Sequence, residues 1–115
     1  MDTRIGIIVR FLEDRWHSAV RVADLANHVG LGASRLEHLF KQEARISIRD
    51  YIRERRLTAA AALLAHSVER VSEISYRVGF HHPANFNHAF KKRFGVSPRE
   101  YRAEVDAVRI AEDTK

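Results

Sequence analysis

The chain has 115 residues, enough for one compact unit or for two very small ones. It contains no cysteine, which excludes disulfides and thiolate metal sites. Twenty Lys and Arg against fifteen Asp and Glu give a net charge of +5, which favours a polyanionic partner. The longest apolar run, residues 59–65, is too short to cross a bilayer, and the N-terminus lacks the apolar core of a signal peptide, so we expect a cytoplasmic protein without a membrane partner.

In the first half of the chain, apolar residues recur at intervals of three and four, which predicts helices rather than strands. The first helix carries a stripe of Ile5, Ile8, Val9, Leu12 and Trp16. A short second helix over 22–29 is expected to stop at Gly30, and a third contains Leu36, Leu39 and Phe40.

The second half continues the pattern. The sequence Ser47-Ile-Arg-Asp50 is a capping box that predicts the start of a long helix reaching Ala65. A fifth helix over 71–78 is expected to stop at Gly79, and a sixth begins at Pro83 with Phe86, Phe90 and Phe94 on one face. A second capping box, Ser97-Pro-Arg-Glu100, opens the last helix, and residues 109–115 are expected to fray as a tail with little to bury.

The two halves are copies of one pattern. Shifting the chain by about 50 positions superimposes a series of residues. The shift of 49 pairs Val22, Val29 and Gly30 with Val71, Val78 and Gly79, and the shift of 50 pairs His38, Phe40, Lys41, Arg49 and Tyr51 with His88, Phe90, Lys91, Arg99 and Tyr101. Each copy is a short helix, a glycine turn and a second helix, which is the helix-turn-helix pattern; two hairpins that merely pack together are the alternative.

Three stretches carry a resemblance to a known family. They are "LA…VG…S…L…LFK" at 25–41, "YIRERRLTAAAALL" at 51–64 and "VGF…F…AFKKRFGVSPREYR" at 78–102. These resemble the signatures of AraC/XylS-type transcriptional regulators over about residues 5–103. The resemblance implies an all-α fold of seven helices with two helix-turn-helix subdomains, 1–46 and 67–108, joined by a linker helix over 47–66. It also implies one recognition helix in each of two successive major grooves of an asymmetric site.

The periodicity predicts that one side of the third helix and one side of the sixth are buried. The residues predicted to be buried are Leu36, Leu39 and Phe40 on the third helix and Phe86, Ala89 and Phe90 on the sixth. The opposite side of each helix is then expected to face outward. These sides are also the ones that the resemblance would turn to DNA. The residues expected at base edges are Ser34, Arg35, Glu37, His38, Pro83, Ala84, Asn85 and His88. Those expected at phosphates are Lys41, His82, Asn87, Lys91, Lys92 and Arg93.

The chemistry of these side chains differs. Asn85 can pair with adenine N6 and N7 through its amide, and Arg35 can donate twice to guanine. Glu37 can accept only from cytosine N4 and otherwise repels phosphate. His81, His82 and His88 form a cluster, but a metal site needs three or four converging ligands, and no nucleophile with a paired base is seen. We therefore expect no metal, no cofactor and no catalytic residue.

Double-stranded DNA is accordingly the expected partner, with RNA polymerase as a further candidate and a monomer as the expected state of this domain. A helical protein-interaction module with a basic face is the alternative function, and an enzyme accessory domain is a third.

The chain departs from the family pattern at several places. Arg21 and Arg70 stand where the family usually has a capping Ser or Thr. Ala44-Arg45 replaces the glycine that the family often has there, while the second module keeps Gly95. His38 and His88 stand where many relatives carry arginine, so the target sequence of a relative cannot be transferred to this chain.

Overall fold

The computed structural model describes residues 1–114, and within that range it contains seven α-helices and no strand. The helices are α1 Thr3–Arg15, α2 Val22–His28, α3 Ala33–Ala44, α4 Ile48–His66, α5 Val71–Arg77, α6 Pro83–Phe94 and α7 Pro98–Asp113. This confirms the predicted all-α fold and the order of its elements.

The chain divides into two compact units, Met1–Arg55 and Arg56–Lys115. The sequence predicts residues 47–66 as a separate linker segment, whereas the structure divides α4 between the two units. The reason is packing, because Ile48, Tyr51 and Ile52 at the start of α4 join the apolar core of the first unit.

In the first unit, α3 packs against α2 and α1. Its core contains buried residues of all four helices. They are Ile5, Ile8, Leu12, Leu25, Ala26, Leu36, Phe40 and Ile48. The three-and-four spacing on α1 therefore places its apolar stripe inward, as periodicity predicts.

In the second unit, α6 packs against α5 and α7, and aromatic rings form part of its contact with α7. The ring centroids of Phe86 and Phe90 are 5.7 Å apart, and those of Phe90 and Tyr101 are 5.5 Å apart and nearly perpendicular. Phe80 continues the series at 5.3 Å from Phe86. Such edge-to-face contacts suit the ring quadrupole and fix the orientation of α6 on its unit.

The helix starts follow the predicted caps. The Ser47 Oγ accepts from the Asp50 amide at 3.1 Å, and the Ser97 Oγ accepts from the Glu100 amide at 3.1 Å. At the starts of α2 and α5, Arg21 and Arg70 make no side-chain capping bond, which confirms the weak caps expected there.

The two recognition-type helices, α3 and α6, end in the same backbone conformation with different residues. Arg45 follows α3 at φ 65°, and Gly95 follows α6 at φ 84°, both in the left-handed region. Only glycine adopts this conformation without steric cost to a Cβ, so the first unit retains a strain that the second unit avoids.

The structure gives residues 109–113 a helical conformation, and the predicted fraying of residues 109–115 stays a prediction. Helix α7 continues to Asp113, and Lys115 lies outside the described residues. The Arg109 Nη2 donates to the Ala65 carbonyl oxygen at 2.7 Å, and the Thr114 amide donates to the Ile110 carbonyl oxygen at 3.2 Å. Hydrogen bonds rather than apolar burial therefore hold this end of the helix, which the apolar pattern cannot reveal.

Candidate nucleic-acid interface

The outward side of α3 lies opposite two core residues. Leu36 and Phe40 are 0% exposed and anchor the helix in the first unit. The opposite side, which we call the α3 face, consists of exposed Ser34, Arg35, Glu37, His38 and Lys41. The predicted exposure of these residues is confirmed, and their contact with DNA stays a prediction.

The outward side of α6 is built in the same way on Phe86 and Phe90, which are also fully buried. The exposed residues opposite them form the α6 face, which consists of Ala84, Asn85, Asn87, His88, Lys91 and Lys92. Pro83 is half-buried in the first turn of α6, and the exposed His82 precedes it as the N-cap residue without a side-chain capping bond.

Arg93 lies apart from the α6 face. At about 100° per residue, its position on the helix is about 140° from that of His88. Its guanidinium carbon lies 4.8 Å from the centroid of the Phe94 ring. A cation at this distance over a ring is attracted to the ring, so the structure places Arg93 against its own unit, although it remains exposed.

An open cleft of 410 Å³ lies beside the α6 face within the second unit. It is lined by Val71, Asn87, His88, Lys91, Ser97, Pro98 and Arg99. Three of these, Asn87, His88 and Lys91, are predicted site residues, and the structure brings them together with Arg99 at the start of α7. Arg99 is not among the predicted site residues, although the repeat pairs it with Arg49 and thus places a basic residue at the same position in both copies.

The charged side chains of the two faces are free of intramolecular partners in the part of the chain that the structure describes. No hydrogen bond or ion pair engages Arg35, Lys41, Lys91 or Lys92, nor the acidic Glu37. Ion pairs occur elsewhere in each unit and include those of Arg4, Arg53, Arg55 and Arg77. An incoming anion would therefore meet the cations of the two faces, Arg35, Lys41, Lys91 and Lys92, without first displacing a protein carboxylate.

The histidines do not form a metal site in residues 1–114, where no group of three or more His, Cys, Asp or Glu could hold an ion. His81, His82 and His88 are all exposed. Within the same residues, no helix has the length and apolar character that spanning a membrane requires.

A family model for a helix-turn-helix domain matches residues 25–104. The arabinose operon regulatory protein of Salmonella typhimurium is 35% identical over 104 residues, which cover 90% of this chain and 37% of that protein. The HTH-type transcriptional activator RhaS of Escherichia fergusonii is 33% identical over 92% of this chain and 38% of its own length. The chain thus spans somewhat over a third of the length of these two relatives, whose names describe an operon regulator and a transcriptional activator.

A solved structure with a similar fold comes from Chromobacterium violaceum and is described as a transcriptional regulator of the AraC-type DNA-binding-domain group. It is 28% identical with a TM-score of 0.79, over 90% of this chain and 92% of that one. The DNA-binding domain of AdpA shares the fold at a TM-score of 0.86 and 24% identity, over 92% of this chain and 96% of that one. The chain therefore belongs to the helix-turn-helix domain family, and within it to the AraC type, the DNA-binding domains of transcription regulators.

Proposed function

We propose that this chain binds a specific duplex DNA sequence by placing α3 and α6 in two adjacent major grooves, as the DNA-reading part of a transcription regulator. The observation that carries the proposal is the repetition of one exposed pattern on a buried one. His38 and Lys41 stand on α3 opposite a fully buried Phe40, and His88 and Lys91 stand on α6 opposite a fully buried Phe90. A helix anchored by its inner side and presenting polar groups outward fits a major groove.

Within this interface the cations and the amides have different tasks. Lys41, Lys91 and Lys92 carry no partner in their own unit and attract phosphates, which fix position without reading sequence. His82 and Asn87 add further phosphate contacts at the edges of the α6 face. Arg93, directed at the Phe94 ring, contributes as a phosphate contact only if it leaves that ring.

Base reading falls to residues in the first half of each helix. Arg35 and Asn85 supply the two-pronged contacts to guanine and adenine that their geometry suits. His38 and His88 donate to a base edge from the centre of each face, while Ser34, Pro83 and Ala84 fit small contacts, including the thymine methyl group.

The cleft beside the α6 face adds a phosphate contact to this scheme. Arg99 lines it together with Lys91 and His88, so positive charge lies on two walls of one concave surface. A DNA backbone leaving the groove that α6 occupies would place a phosphate near these groups. We propose Arg99 as a phosphate contact on this basis.

The same reasoning extends to partners. Two reading helices on one chain need no second copy, so we propose that the domain binds as a monomer to a site without two-fold symmetry. Because its relatives regulate bacterial transcription, we also propose that the protein works in the cytoplasm and contacts RNA polymerase.

The test is a selection of bound duplexes from random DNA with the purified chain, followed by affinity measurements on the selected duplex and on a shuffled duplex of the same composition. We expect a non-palindromic site of ~20 bp, with two half-sites about one helical turn apart. With about six phosphates neutralised, log affinity should fall against log salt with a slope near −5. Equal affinity for both duplexes, or a symmetric site bound by two chains, would contradict the proposal.

A further inference from the structure

The two helices proposed to read DNA differ in charge. Helix α3 carries two basic and two acidic residues, so its formal charges cancel, whereas α6 carries three basic residues and no acidic one. The repeat pairs Glu37 of α3 with Asn87 of α6. The same position therefore holds an anion in one unit and a neutral amide in the other.

The two acidic residues of α3 have different surroundings. Glu43 is half-buried, and its Oε1 accepts from the backbone amide of Asp2 at 3.2 Å. Glu37 is exposed on the α3 face, one turn before Lys41, and has no hydrogen bond or ion pair among residues 1–114. The α3 face thus presents a carboxylate that nothing in its own unit neutralises.

A carboxylate in a major groove meets mostly acceptors and phosphates. It loses water on binding, and unless a donor replaces that water, burying the charge is costly. The amino group at cytosine N4 is the donor that suits it, whereas guanine presents two acceptors, and adenine presents the N7 acceptor beside its amino group. A carboxylate at this place therefore weakens binding to most sequences. It does not weaken binding to sequences that have cytosine at the base pair it faces.

We propose that Glu37 is a specificity-determining residue that selects cytosine in the α3 half-site by excluding other bases, while α6 supplies most of the sequence-independent attraction. This inference rests on the proposed DNA binding. The two helices then contribute differently: α3, whose formal charges cancel, contributes mainly discrimination, and the positive α6 contributes mainly affinity for any duplex.

The experiment compares the parent chain with Glu37→Gln on the selected and shuffled duplexes. Glutamine keeps the size of the side chain and can donate as well as accept, so the variant should bind the shuffled duplex several-fold more tightly. Its preference for the selected over the shuffled duplex should fall about tenfold or more. A repeated selection with the variant should lose one cytosine from the consensus.

Two further variants make the outcome decisive. Glu104→Gln removes the same charge from exposed α7 and should leave the preference unchanged. Asn87→Glu places a carboxylate on α6 and should weaken binding to both duplexes. If the parent chain prefers its selected duplex but Glu37→Gln retains that preference in full, the inference is wrong and DNA reading stands. If the parent chain shows no preference, the proposed function itself fails.

Discussion

Arg102 on α7 donates from Nε to the Leu64 carbonyl oxygen near the end of α4, at 3.1 Å. The same guanidinium donates from Nη1 to the Glu69 carbonyl oxygen at 2.6 Å and from Nη2 to the Ser67 carbonyl oxygen at 3.2 Å. One side chain therefore satisfies the carbonyl groups that α4 and the following turn leave without helical partners.

We expect Arg102→Lys to destabilise the protein by about 1–3 kcal/mol, because a single ammonium group cannot reach three carbonyl oxygens arranged around a planar guanidinium. Urea unfolding monitored by circular dichroism measures the change. Arg109→Ala is the control, since it removes one hydrogen bond from an exposed residue and should cost about 0.5 kcal/mol or less. Equal losses in both variants would mean that the three bonds of Arg102 do not act together.

The left-handed residues after α3 and α6 predict opposite effects of two substitutions. Arg45→Gly should stabilise the protein by about 0.5–1 kcal/mol, because it removes a Cβ from a backbone that disfavours one. Gly95→Ala should destabilise it by about 1 kcal/mol, and since a Cβ at Gly95 would meet no atom within 4 Å, that loss reports on the backbone alone. Chemical unfolding of both variants measures the change in the free energy of unfolding. A loss of stability in Arg45→Gly would show that the backbone at Arg45 is not strained.

Ala60 on α4 is fully buried, whereas Ala62 on the same helix is exposed. We expect Ala60→Leu to cost roughly 1–3 kcal/mol, because the larger side chain has no space and must displace its neighbours. Ala62→Leu adds the same atoms in solvent and should stay within about 0.5 kcal/mol of the parent chain. Thermal unfolding of the pair is the measurement, and an unchanged melting temperature in Ala60→Leu would show a loosely packed site.

Burial, together with a hydrogen bond and the nearby charge of Glu13, raises the pKa of Tyr51 to about 12 from its usual 10.0. The folded state then holds the phenol proton more tightly than the unfolded state. Its stabilising effect is complete below about pH 10 and is lost as the pH rises through about 12. The free energy of unfolding should therefore fall more steeply over this range in the parent chain than in Tyr51→Phe.

Glu13→Gln tests the cause of this shift. It removes the carboxylate but leaves the burial of the ring, so the pKa of Tyr51 should move back only part of the way. The ultraviolet absorbance of tyrosinate, followed during an alkaline titration, measures the pKa of Tyr51 in the parent chain and in the variant. A return to the ordinary value would assign the whole shift to Glu13, and no movement would assign it to burial.

Two residues beside the cleft of the second unit should respond differently on DNA. His88→Ala should weaken binding to the selected duplex by ~1–3 kcal/mol and relax the preference at one or two base pairs, because it removes a base contact. Arg99→Ala should weaken binding to selected and shuffled duplexes alike and reduce the salt slope by about one, because it removes a phosphate contact. Arg10→Ala, an exposed change on α1, is the control for lost charge. The assignments are wrong if His88→Ala weakens binding to both duplexes equally, or if Arg99→Ala changes the preference for the selected duplex.

Periodicity and caps were sufficient to predict the helices and their buried sides. The seven helices, the serine caps at Ser47 and Ser97 and the AraC-type family are confirmed. The helices and caps depend on the residue types within a few helical turns. The family depends on motifs that recur along the chain, so the sequence alone is enough to predict both.

Other features depend on contacts that no local pattern encodes. The bonds of Arg102 reach carbonyl oxygens 33 to 38 residues away, and any side chain of the right length could make them. The helical end of α7 has the same origin in Arg109. The contact between the Arg93 guanidinium and the Phe94 ring, at 4.8 Å from the ring centroid, is likewise not encoded by the apolar pattern, and the assignment of Arg93 to a phosphate stays a prediction. The assignment of individual residues to bases and phosphates remains a prediction.

The boundary between the two units falls inside α4, between Arg55 and Arg56, and not in a loop. In an α-helix the amides after such a boundary bond to carbonyl groups four residues before it, so the backbone there is closed to a protease that needs an extended segment. Neither half is therefore released by cutting at the boundary, and a gene truncated there would encode a helix missing its own continuation.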